Sequence, residues 1–183
     1  MDMSIKRTAR AFLLVVAACM LCVSLAACGG DENAPKTPAE QNRAYMASVN
    51  SIGAEASDAL ASFSDAVAAG DVAAMRQCAS DAAKKLEKFE QLSAPEALAQ
   101  VHEEYKAGAS DVSAALSEYI EAYASLQNQP EGAKDASAFE EKVAAVQARY
   151  DTGIKHLSDA DAMVASLASG EAGGSADGAS AQQ

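Results

Sequence analysis

Tryptophan is absent from this 183-residue chain, aromatic residues make up only 5% of it, and it holds two histidines and four prolines. A β-rich fold needs more valine, isoleucine, threonine and aromatic side chains than occur here. Positive charge is also short: 14 lysines and arginines stand against 26 aspartates and glutamates, for a net charge of −12. Such a surface repels nucleic acid and anionic lipid headgroups, which argues against a polyanion-binding role. What the chain has in quantity is alanine, serine, glutamate and aspartate, a composition that favours helices with thin, closely packed interfaces. Its length suits one domain with a modest core.

The first thirty residues differ from the rest. Lys6, Arg7 and Arg10 form a basic start, and AFLLVVAACMLCVSLAA follows from Ala11 to Ala27. Cys28 comes next, then Gly29, Gly30, Asp31 and Glu32, and the chain stays polar. A charged start, a short apolar run and small residues before a break are the marks of an export signal.

Leu25-Ala26-Ala27-Cys28 resembles the lipobox of bacterial lipoproteins. In that class the cysteine thiol receives a diacylglyceryl group through a thioether, and a peptidase cuts just before the cysteine. The resemblance covers about the first thirty residues and implies a signal peptide over 1–27, lipidation of Cys28 and attachment to a membrane. Gly29 stands where inner-membrane lipoproteins of two-membrane bacteria carry Asp, so the resemblance leaves both the cell membrane and the outer membrane open. Three rival readings exist. The 17-residue apolar run is at the lower edge of the ~17–25 needed to span a bilayer. Val16-Ala17-Ala18-Cys19 also resembles a lipobox, but cleavage there strands MLCVSLAA in the mature chain. Cys19-Met20-Leu21-Cys22 has the CxxC form, yet Val23 follows where haem attachment needs His.

Two acyl chains hold a protein stably where one holds it marginally. Loss of residues 1–27 removes Lys6, Arg7, Arg10 and Asp2, which takes the net charge from −12 to −14 over 156 residues. It also removes two of the four cysteines; with Cys28 alkylated, Cys78 alone stays free and no intramolecular disulfide forms. Free cysteine in a helix is most often a small buried residue.

Residues 28–36 read as the lipidated cysteine and a flexible tether, holding the domain ~15–20 Å from the bilayer. Four helical stripes follow over 37–169. Thr37-Pro38-Ala39-Glu40 fits a capping box with proline at the first helical position. Tyr45, Val49, Ile52, Ala56, Leu60, Phe63 and Val67 then recur at helical spacing. Gly70 is a helix stop and Asp71 a new N-cap. The second stripe runs Val72, Met75, Ala79, Ala82, Leu86 and Phe89, ending near Leu92. Ser93-Ala94-Pro95-Glu96 predicts a second box, followed by Leu98, Val101, Tyr105, Gly108, Val112, Leu116, Tyr119, Tyr123 and Leu126. Asn128 to Gly132 breaks that helix, Ser137-Ala138-Phe139-Glu140 predicts a third box, and Phe139, Val143, Val146, Tyr150, Ile154, Leu157, Val164 and Leu167 form the fourth stripe. Gly170 is expected to end it, and the tail 170–183 to be disordered. The predicted fold is all-α: an antiparallel up-down-up-down four-helix bundle with a second helix of ~20 residues against ~30 for the others.

No constellation names a reaction. VHEEYK has Lys106 where HExxH needs histidine, and neither His102 nor His156 follows a glutamate by three. No EF-hand, G-x-S-x-G, P-loop or GxGxxG occurs. Adjacent acids such as Glu103-Glu104 and Glu140-Glu141 diverge by about 100° on a helix and read as solvated faces; Asp159 and Asp161 read the same way. The tyrosines are the candidates for binding. Tyr45, Tyr105, Tyr119, Tyr123 and Tyr150 lie on or beside inward stripes, and Gly108, one turn from Tyr105, would leave room for a small ligand. Their hydroxyls reach either the bundle edge or a pocket between the helices. The sequence therefore predicts a non-catalytic, membrane-anchored envelope protein that meets a protein or cell-wall partner. It predicts no metal, no nucleic acid and no cofactor beyond the lipid on Cys28. The alternative is a small-molecule binding or sensing lipoprotein with a Tyr-lined pocket. Beyond the signal the chain resembles the small helical-bundle lipoproteins of bacteria, in architecture and composition only.

Overall fold

The structure, a computed structural model, describes residues 36–130 and 136–174. The signal, the lipobox, Cys28 and most of the tether lie outside the described residues, as do 131–135 and the tail from 175. The described chain is all helical. In order come α1 (Pro38–Ala69), α2 (Val72–Leu86), the short α3 (Lys88–Gln91), a 3-10 turn (Glu96–Leu98), α4 (Ala99–Gln127) and α5 (Ala136–Gly174).

Local chemistry sets the first two boundaries as the sequence predicts. The Thr37 amide donates to Glu40 Oε2 at 2.7 Å, and the Glu40 amide donates back to Thr37 Oγ1 at 3.3 Å, completing the capping box. At the other end of α1, Gly70 takes the left-handed conformation with φ 70° and caps the last carbonyls. Asp71 Oδ1 then accepts from the amides of Ala73 and Ala74, both at 3.0 Å, and opens α2.

Three later boundaries differ from expectation. Helicity is interrupted at Glu87, though its angles of −57° and −25° stay right-handed. The Glu90 amide bonds the Glu87 carbonyl three residues back at 3.0 Å, so the last turn tightens without bending away. The box at Ser93 does not form: Pro95 is extended with ψ 151°, and the 3-10 turn precedes α4, whose cap Leu98 makes no side-chain cap bond. The extended path tucks Leu92 and Ala94 against the core, and burying a leucine outweighs a cap worth about 1 kcal/mol. Finally, α5 opens at Ala136, one residue ahead of the predicted box, and continues past Gly170 to Gly174.

Helix α1 packs on α2, α2 on α4, and α4 on α5. Tyr45 of α1 meets His102 of α4, and Phe63 meets Tyr119. Between α4 and α5 the pairs are Glu104 with His156, Tyr105 with Asp161, and Glu118 with Arg149. The apolar stripes fill two clusters. One takes Tyr45, Val49, Ile52, Phe89, Leu98, Val101, Tyr105, Val112 and Tyr150. The other, toward the Gly70 turn, takes Phe63, Met75, Ala79, Ala82, Leu116 and Ile120 from α1, α2 and α4. Phe63, Met75, Leu116, Val101 and Val112 are the largest side chains with almost no exposure; each contributes about 1.5–3 kcal/mol through burial. Along α1 the buried face drifts to Ala59 and Ala66, leaving Leu60 and Val67 half-buried.

Candidate functional site

The polar groups that face inward gather around the first two turns of α4. One turn apart on that helix, His102 and Tyr105 share a face, and Glu104 points toward α5. The Tyr45 hydroxyl and His102 Nδ1 are hydrogen-bonded at 3.0 Å, bridging α1 and α4. The Tyr105 hydroxyl donates to Asp161 Oδ1 at 2.5 Å, bridging α4 and α5. Beside it, Glu104 Oε2 lies 2.6 Å from His156 Nδ1. Phe89 stacks on Tyr105, with centroids 5.4 Å apart and planes within 3°.

Burial, reinforced by the Glu103 charge, pushes the Tyr45 phenol up to about 12. The Tyr105 phenol is raised further, by burial first and then by its bond to Asp161. His102 is lowered from its ordinary value, by burial and then by the nearby Lys106 charge. At neutral pH the two phenols are therefore protonated and His102 is neutral. Neither phenol is a nucleophile in that state. The arrangement joins three helices by paying each buried hydroxyl with a partner.

The five candidate tyrosines do not line one space. Tyr45 and Tyr105 belong to this cluster. Tyr119 and Tyr123 stack on each other at 6.2 Å near the Gly70 turn, flanked by Phe63 at 6.0 Å and Phe139 at 6.2 Å. Burial pushes the Tyr119 phenol up to about 12. The Tyr123 hydroxyl sits 3.0 Å from where a side chain on Gly70 would begin. Tyr150 is buried on α5 in the larger apolar cluster, its phenol also raised by burial.

The space expected beside Gly108 is filled. A methyl group there would lie 2.7 Å from the Leu157 side chain and 2.8 Å from the Gly153 carbonyl oxygen. One on Gly153 would lie 2.9 Å from the backbone and side chain of Val112. Gly108 therefore admits the backbone of α5, not a ligand. Sequence reasoning missed the second half of this contact. The signal was there: Gly153 stands inside a helical stripe, where glycine costs up to about 1 kcal/mol unless a close approach requires it.

Among the described residues, two open grooves stand out. One, about 330 Å³, runs between the start of α1 and the extended Leu92–Pro95 segment, lined by Lys36, Gln41, Tyr45, Ser48 and Ser93. The other, about 430 Å³, lies between α4 and α5 beside Glu118, Glu121 and Lys142. Among the described residues no three of His, Cys, Asp and Glu are grouped to hold a metal ion. Nor is any described helix long and apolar enough to cross a membrane. Cys78 is half-buried and unpaired. Comparison with family models, with curated proteins and with solved structures finds no match to this chain.

Proposed function

We propose that the chain is a bacterial lipoprotein, held at the cell membrane or outer membrane by acyl chains on Cys28, whose helical domain is a non-catalytic envelope interaction or structural module. The observation that carries this reading is the run from Lys6 to Cys28: basic start, apolar stretch, then Leu25-Ala26-Ala27-Cys28 before a lasting polar turn. The folded part supports it. Tyr45, Tyr105, His102 and His156 pair between helices, and Leu157 and Gly153 close the space beside Gly108. The pairings of Tyr45 with His102, Tyr105 with Asp161 and Glu118 with Arg149 support an up-down-up-down bundle, in which α1 and α4 run together and α5 runs against α4. In that arrangement the α1 start and the α5 end share the tethered end, and the Gly70 turn faces outward to a protein or cell-wall partner.

Metabolic labelling of the expressing cell tests the anchor. The native chain is expected to take up labelled fatty acid and to lose residues 1–27, and Cys28→Ser to take up none; equal labelling of both, or of neither, would refute it. Cross-linking from the Gly70 end, followed by mass analysis, is expected to recover an envelope protein or wall fragment. A second reading, a small-molecule binding lipoprotein, has one observation in its favour. The Tyr45 groove, at about 330 Å³, falls within the size of ligand sites. Extraction of the native protein with a stoichiometric small molecule would support it over the first.

A further inference from the structure

We draw no further inference here: the strongest candidate, the open groove between the start of α1 and the extended Leu92–Pro95 segment, belongs to the small-molecule reading already described, and nothing in the structure shows what covers it.

Discussion

Single atoms decide several of the contacts in this molecule. Gly108 and Gly153 let two helix backbones touch, so Gly108→Ala or Gly153→Ala should destabilise the fold by about 2 kcal/mol through overpacking, read as a lower denaturant midpoint. Gly53 is the control: a methyl group there meets nothing within 4 Å, so Gly53→Ala should stabilise by about 0.5–1 kcal/mol, the helix cost of glycine. Burial of Tyr45 and His102 sets a pH dependence at both ends of the scale. His102 is lowered in the fold, so the unfolded chain binds its proton first. Stability from this residue is complete above the ordinary histidine value of about 6.5 and falls as pH drops below it. Tyr45 is raised to about 12, so its share is complete below the ordinary phenol value of about 10 and falls as pH climbs from there toward 12. Denaturation profiles should show both slopes; His102→Gln should flatten the one near the ordinary histidine value, and Tyr45→Phe should reduce the alkaline one, which Tyr105, Tyr119 and Tyr150 share. If His102→Gln keeps the full slope near the histidine value, the assignment of that slope to His102 is wrong.

At the scale of elements, what could be read from the sequence was what a short stretch of chain decides for itself. The Thr37–Glu40 box, the left-handed Gly70 and the Asp71 cap each involve neighbours within four residues, and each forms as read. Thr37→Ala should therefore cost about 1 kcal/mol, seen as earlier fraying of α1 by hydrogen exchange. The stripes also gave the core, since period alone fixes which face is apolar. What stayed hidden depends on which faces meet. The Ser93 box has the right letters, but the chain there spends its geometry on seating Leu92 and Ala94. The partners of Tyr45, Tyr105 and His156 lie more than fifty positions away, and no local pattern specifies them. Glu55 gives the same lesson on the surface. The Lys88 amine at 2.7 Å, helped by Lys85, holds its carboxyl below the usual carboxylate range, tying α1 to α3 across a stretch of sequence that reads as solvated charge. Being half-exposed, that pair contributes little.

For the whole molecule, the account joins an acidic helical rod to a membrane through one atom. On the proposed reading, the rod's outer surface rather than a pocket is where a partner is met. Everything said of orientation, of the tethered end and of the envelope rests on the sulfur of Cys28. Intact-mass analysis of the native protein, with sequencing of its N-terminal peptide, tests this most directly. The account predicts a chain that starts at Cys28 and carries a diacylglyceryl thioether. A chain that retains residues upstream of Cys28, or that presents a free thiol there, would contradict it.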